Sequence, residues 1–384
     1  MKKNILLMLV VALMLSVTGL EAKQKLSSVG TRGLRDAKMK LQQKNFDKAL
    51  EFYLKVLESD PNSIEALAKV GQINYSYGSD RSKGKLSYFE TAYGYYKQSI
   101  EAYDKLLADG FPQKKLKAEK KLIEAVNKEI GYPIVKLQIE GTDAFNDGAY
   151  EEALEYFQKA YELNPDSLKS LVGMGPTYMK LEKTAEAIET YELLMTAEPA
   201  NIQTLQTLAG IYYNNDQIEK AAEMYQAILV ITPNDVSIMF NVSVAYINLK
   251  KYEEALAMNE AILALEPENV DALNNASQLI NSLKFNYNKE EGKEEAIKAL
   301  DEKAIVINTK LVDLDPSADT VSTFCYALSQ AKRWELLLVY SQRWHELDAT
   351  SKPAIQMVML AGTKTGEKAI VSEYSKKLNT LDKK

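Results

Sequence analysis

The 384-residue sequence predicts an all-α fold of short antiparallel helix pairs stacked in a row. Three observations carry this prediction. Pro165, Pro199, Pro233 and Pro267 follow one another at intervals of 34 residues. The same residue types return at fixed distances before each of them. Ten prolines and 17 glycines are few for this length, which argues against a protein of strands and tight turns.

The segment GAYEEALEYFQKAYELNPD, Gly148 to Asp166, shows one unit of the pattern: helical spacing, one apolar face and a proline stop. Twelve residues before each proline stand Ala153, Ala187, Ala221 and Ala255, and eight before stand Phe157, Tyr191, Tyr225 and Asn259. In the preceding helix, 24 before, stand Gly141, Gly175, Ala209 and Ser243, and 21 before stand Ala144, Tyr178, Tyr212 and Tyr246. The small residues let two antiparallel helices approach closely, and the aromatics fill the space beside the contact. Proline stops the second helix because it lacks the donor that would continue the ladder. NPD, EPA, TPN and EPE are turn chemistry that opens the next helix. A helix pair of this size buries too little alone, so each unit depends on its neighbours.

This pattern resembles the tetratricopeptide repeat (TPR), a 34-residue helix–turn–helix unit. The resemblance implies a right-handed superhelical solenoid, here of about eight antiparallel helix pairs plus one extra helix. It is strongest over 134–267, where four repeats run without a gap. It also holds at 30–61 through Ala37, Phe46, Ala49, Tyr53 and Pro61. Elsewhere it loosens. Residues 63–111 carry the loop SDRSKGKLS, 113–130 add one helix without an obvious partner, and 270–316 hold about 15 extra residues around KFNYNKEEGKEE. Residues 318–350 and 353–383 read as degenerate helix pairs. The expected organisation is a signal peptide (1–22), degenerate repeats with the extra helix (23–131), four consecutive repeats (132–267), and degenerate repeats with a cap (268–384). The interruptions near 79–87, 112–131 and 284–294 are expected to change curvature or project.

The first 22 residues have the three-part layout of a secretory signal: Lys2 and Lys3, the apolar run ILLMLVVALML, then the small and polar SVTGLEA. The run is short for a membrane span, so the mature chain is expected to carry none; an uncleaved N-terminal anchor is the alternative. No Cys stands near the cleavage site to carry a lipid. The expected location is therefore the periplasm or cell envelope.

Composition excludes several functions. A net charge of −6 provides no basic field for nucleic acid. With one Cys (Cys325) and one His (His345), neither a disulfide nor a Cys/His metal cluster can form within the chain. No Walker loop, GxSxG or HExxH is present. No enzyme, cofactor or metal is expected. The basic run Lys114, Lys115, Lys117, Lys120 and Lys121 reads as a solvated helix face, with an acidic partner or anionic lipid as the alternative.

The resemblance also implies a binding groove, lined by positions 2, 5, 9, 12 and 13 of each repeat. In this chain these are Val135, Gln138, Thr142, Phe145 and Asn146, then Lys169, Val172, Pro176, Met179 and Lys180. Gln203, Gln206, Gly210, Tyr213 and Asn214 follow, then Ser237, Phe240, Val244, Ile247 and Asn248. The fifth repeat contributes Asp271, Asn274, Gln278, Asn281 and Ser282. The candidate contacts are Gln138, Phe145, Asn146, Lys180, Gln206, Tyr213, Asn214, Phe240, Asn248 and Asn274. Amides can both donate to and accept from an extended peptide backbone, and aromatics supply apolar area. Asn146, Asn214 and Asn248 share one repeat position and could form a ladder; the alternative is that they simply end first helices. The Lys and Asn clamp of chaperone-binding relatives is absent, since Gln138 and Thr142, Val172 and Pro176, and Gln206 and Gly210 stand at its positions. Pro176, inside a first helix, is expected to bend it. The expected function is a non-enzymatic exported scaffold that binds protein or peptide. The alternative is a structural subunit of an envelope assembly or of a polysaccharide or protein export complex.

Overall fold

The computed structural model describes residues 26–80 and 86–381, and the regular structure among them is helical throughout. The segment read as a signal peptide lies outside the described residues, as does the middle of the 79–87 interruption. The chain divides into one compact unit ending at Pro199 and another beginning at Ala200. The division falls on a proline turn within the four-repeat run.

The first unit contains the pairs α1 (Ser28–Gln42) with α2 (Phe46–Ser59) and α3 (Ile64–Ser79) with α4 (Leu86–Ala108). A short 3-10 turn and the lone helix α5 (Lys117–Glu129) follow. The pairs α6 (Tyr132–Asn146) with α7 (Tyr150–Leu163) and α8 (Leu168–Lys180) with α9 (Thr184–Ala197) complete the unit. The second unit pairs α10 (Ile202–Asn214) with α11 (Ile218–Ile231), and α12 (Val236–Asn248) with α13 (Tyr252–Leu265). Next come α14 (Val270–Tyr287) with α15 (Glu294–Leu314), α16 (Ala318–Gln330) with α17 (Trp334–Leu347), and α18 (Lys352–Thr365) with α19 (Lys368–Leu381). The described residues thus form nine pairs and one lone helix, one pair more than the expected eight.

The recurring residues do what their chemistry suggests. Ala153, Ala187, Ala221 and Ala255 are fully buried between paired helices. Phe157 of α7 sits between two glycines, Gly141 of its own first helix and Gly173 of the next. A Cβ on Gly175 would lie 2.7 Å from the Tyr191 ring, so glycine is a packing requirement there. In α12 and α13 the small-aromatic pairing becomes polar: Asn259 donates to Ser243 Oγ at 2.6 Å and to the Ala255 carbonyl at 2.8 Å. Two residues after several of the prolines, a capping side chain accepts the N–H three positions on, as Asn201, Asp235 and Asn269 do.

The lone helix has a partner after all. α5 packs on α3 and α4, with Val126 clustered on Ala68 and Tyr96. The 270–316 interruption folds as additional helix. Asn308 donates to the Ala304 carbonyl and meets Ser277, as Asn259 does with Ala255 and Ser243, so the later pair repeats the earlier one after its insertion. α14 has 18 residues where α12 has 13, and α15 has 21 where α13 has 14. This hairpin stands roughly 8–10 Å taller than its neighbour at 1.5 Å per residue.

Candidate functional site

In the second unit, the predicted groove positions lie on the face formed by first helices. Gln206, Asn214 and Asn248 are exposed, and Tyr213, Phe240 and Asn274 are half-buried. Asn248 Nδ2 donates to Tyr213 Oη at 2.8 Å, joining α12 to α10 across one repeat. The structure therefore brings Tyr213 and Asn248 together, and the Asn248 amide goes to this phenol rather than to Asn214. Burial, and then the charge of a neighbouring Tyr213 phenolate, raise the pKa of Tyr225. Phe240 rests on the cluster of Met239, Ile262 and Ala272, so only its edge is offered to a ligand.

In the first unit, one prediction is corrected. Gln138 is buried, and its amide donates to Ser167 Oγ at 2.9 Å and Ser170 Oγ at 3.0 Å. Two hydroxyls of the next repeat draw the side chain inward, so it ties repeats together and presents nothing to a ligand. Phe145 is half-buried, edge-on to Tyr150 at 5.3 Å between centroids. Asn146 and Lys180 are exposed. Val135, Val172 and Met179, also groove positions, are exposed as well, which makes this part of the face more apolar than the amide-rich expectation. Pro176 lies within α8 and leaves the Val172 carbonyl without its helical donor.

Asn146, Lys180, Asn214 and Asn248 each end their helix. The left-handed residue that closes the helix comes two positions later: Gly148, Glu182, Asp216 and Lys250. Next to it, Ala149, Lys183, Gln217 and Lys251 donate back to Ala144, Tyr178, Tyr212 and Tyr246, a Schellman closure. The asparagines therefore do not occupy the left-handed slot that favours Asn, and their side chains are left to the surface.

Sequence reasoning missed a site in the first unit. Gln72, Tyr75 and Ser76 hold groove positions 9, 12 and 13 when counted from Pro61, a signal that was available. They border a cavity of about 350 Å³ together with Tyr96, Glu129 and Tyr132. Gln72 Nε2 and Tyr96 Oη both donate to Glu129 Oε2, at 3.0 and 3.3 Å. Burial, and then the Glu129 charge, push the Tyr96 phenol upward. The cavity can hold a small polar or apolar side chain.

Cys325 is buried among apolar side chains, and burial pushes its thiol up to about 12, which leaves it protonated and a poor nucleophile. His345 packs edge-on to Tyr374 at 5.2 Å. Among the described residues, no group of three or more His, Cys, Asp or Glu could hold a metal ion. Nor is any described helix long and apolar enough to cross a membrane.

The family model "Tetratricopeptide repeat" matches residues 37–63, and "Psidin, N-terminal TPR repeats region" matches residues 142–273. Both matched segments carry tetratricopeptide repeats. No curated protein matches it. Among solved structures, the MamA protein is 15% identical, covering 48% of this chain and 92% of that one, with a TM-score of 0.36. YrrB, described as a TPR protein with an unusual peptide-binding site, is 24% identical over 56% of this chain and 97% of its own, at a TM-score of 0.35. A TPR protein from Parabacteroides merdae ATCC 43184 is 11% identical over 87% and 99%, at 0.30. TPR proteins serve as scaffolds for peptides or other proteins, and the partner of this one is unidentified.

Proposed function

We propose that this TPR protein is an exported, non-enzymatic scaffold that binds a protein or peptide in the cell envelope through the face formed by its first helices. The observation that carries the reading is the amide and phenol strip of the second unit: Gln206, Asn214 and Asn248 exposed at recurring positions, with Asn248 bonded to Tyr213. Such groups match the alternating donors and acceptors of an extended backbone. Export is supported by the layout of residues 1–22. The test is a pull-down from envelope fractions with the chain from Lys23, run beside a variant carrying Asn146→Ala, Asn214→Ala and Asn248→Ala. Retention by the parent and loss by the variant, at unchanged helicity and melting, is the expected result.

A second reading, a structural subunit of an envelope assembly or export complex, is supported by apolar residues exposed on second helices. Val230 is 82% exposed, Val339 60% and Val306 59%. Under this reading both proteins in the pull-down retain the same complex.

A further inference from the structure

The taller α14–α15 hairpin is not explained by repeat stacking alone, since its neighbours stack without the added turns. Between it and α16 lies a cavity of about 700 Å³. This volume is in the range of small-ligand pockets and suits one or two amino-acid side chains.

The buried part of this cavity is an ion pair. Lys284 is only 6% exposed, and its ammonium donates to Asp301 and to Gln330. An ammonium has three N–H donors. Two are taken by Asp301 and Gln330, no third acceptor is found among the described residues, and all three side chains line the cavity. Burying such a pair is costly and contributes little net stability, so the fold does not require it. Because Asp301 neutralises the ammonium, the remaining donor suits a neutral oxygen better than a second carboxylate.

The outer part is aromatic. Phe285 is 64% exposed and Tyr326 46%, and both line the cavity. Among the described residues, Lys289 lies over the Phe285 ring and Trp344 stands edge-on to Tyr326. Asn281, Thr323 and Gln330 stand at positions 12, 5 and 12 of their repeats when counted from the preceding prolines, so the cavity opens on the first-helix face.

We propose that this cavity binds an extended peptide segment of the partner, taking one large apolar or aromatic side chain between Phe285 and Tyr326 and a main-chain carbonyl oxygen on Lys284 Nζ. The proposal rests on the peptide-binding reading above and adds its specificity: an aromatic or large apolar anchor residue. A carbonyl completes the ammonium without disturbing its charge balance, and the two rings supply the apolar contact.

The test uses the full chain from Lys23 and pools of blocked random nonapeptides, acetylated and amidated, with Phe, Leu or Ala fixed at the centre. The central-Phe pool is expected to bind at least fivefold better than the Ala pool. Phe285→Ala and Tyr326→Ala, both at exposed positions, are each expected to abolish most of that preference with melting unchanged. Lys284→Met combined with Asp301→Leu, which removes the pair without leaving a lone charge, is expected to weaken the Phe pool at least tenfold. A preference that survives both aromatic variants overturns the proposal. Binding lost only with Asn214→Ala and Asn248→Ala also overturns it, while leaving the first-helix-face reading intact. A second central-Phe pool is left unamidated, and binding by that pool alone, through its free C-terminal carboxylate, overturns the carbonyl assignment. If no pool binds, the proposed pocket specificity falls, and the pull-down decides the wider reading separately.

Discussion

Replacing Gly173 by Ala sets two effects of known size against each other. Gly173 lies inside α8, where Ala is favoured over Gly by about 1 kcal/mol. A Cβ there would run into the ring of Phe157, a residue only 4% exposed. The ring cannot retreat toward α6, because a Cβ at Gly141 would already lie 3.0 Å from it. Overpacking costs roughly 1–3 kcal/mol; with the ring held on both sides the cost lies at about 2–3 kcal/mol, and the net change is a loss of about 1–2 kcal/mol. Gly210 is the control. Nothing lies within 4 Å of a Cβ placed there, so Gly210→Ala keeps the helix gain of about 0.5–1 kcal/mol. For a unit of this size, each kcal/mol moves the melting midpoint by about 2–4 °C. Calorimetry should therefore show the first unit melting about 2–8 °C lower in Gly173→Ala and the second a few degrees higher in Gly210→Ala. Adding Phe157→Leu to Gly173→Ala should remove the steric part of the loss. A Gly173→Ala protein that melts higher than the parent would refute the seating of Phe157 on this backbone.

Three further outcomes follow from the structure. Lys250→Gly relieves a non-glycine residue at φ 59 and is expected to stabilise by about 1 kcal/mol in urea titration, Glu182→Gly similarly. His345 is held below its ordinary value near 6.5, first by burial and then by Lys377, with Asp348, Glu346 and Glu373 opposing. The unfolded chain therefore binds the proton more readily, and stability falls as the pH drops below about 6.5; His345→Gln should flatten the melting-versus-pH curve between pH 7 and 5. Lys284→Met alone strands the Asp301 carboxylate and is expected to cost about 3–5 kcal/mol, most of it recovered when Asp301→Leu is added.

The repeat was legible because it rests on geometric demands that restrict residue type. A helix contact needs Ala153 or Gly141, a ring fills the gap beside it, and a proline ends the helix. The positions that faced a choice were not legible. Gln138 looked like a groove amide until Ser167 and Ser170 supplied buried acceptors for it. The α5 helix showed no partner because it packs back on the finished pair before it, through Ala68 and Tyr96, and not on a second helix of its own repeat. The Lys284 pair joins residues 17 and 46 positions apart, a spacing set by an insertion that has no counterpart in the 34-residue period. Within the insertion only the tip is a turn: Gly292, at φ 79, makes it, and the flanking LKFNY and EEAIKAL carry no breaker and continue as helix.

The most direct test of the binding face is site-specific photo-crosslinking in cells. A photoreactive phenylalanine would be placed at Gln206 or Gln278 on first helices, and at Val230 or Val339 on second helices. Adducts to one partner from Gln206 and Gln278, with none from Val230 and Val339, are the predicted result. Adducts from the second-helix positions alone would contradict the account and assign the contact to the opposite side of the repeats.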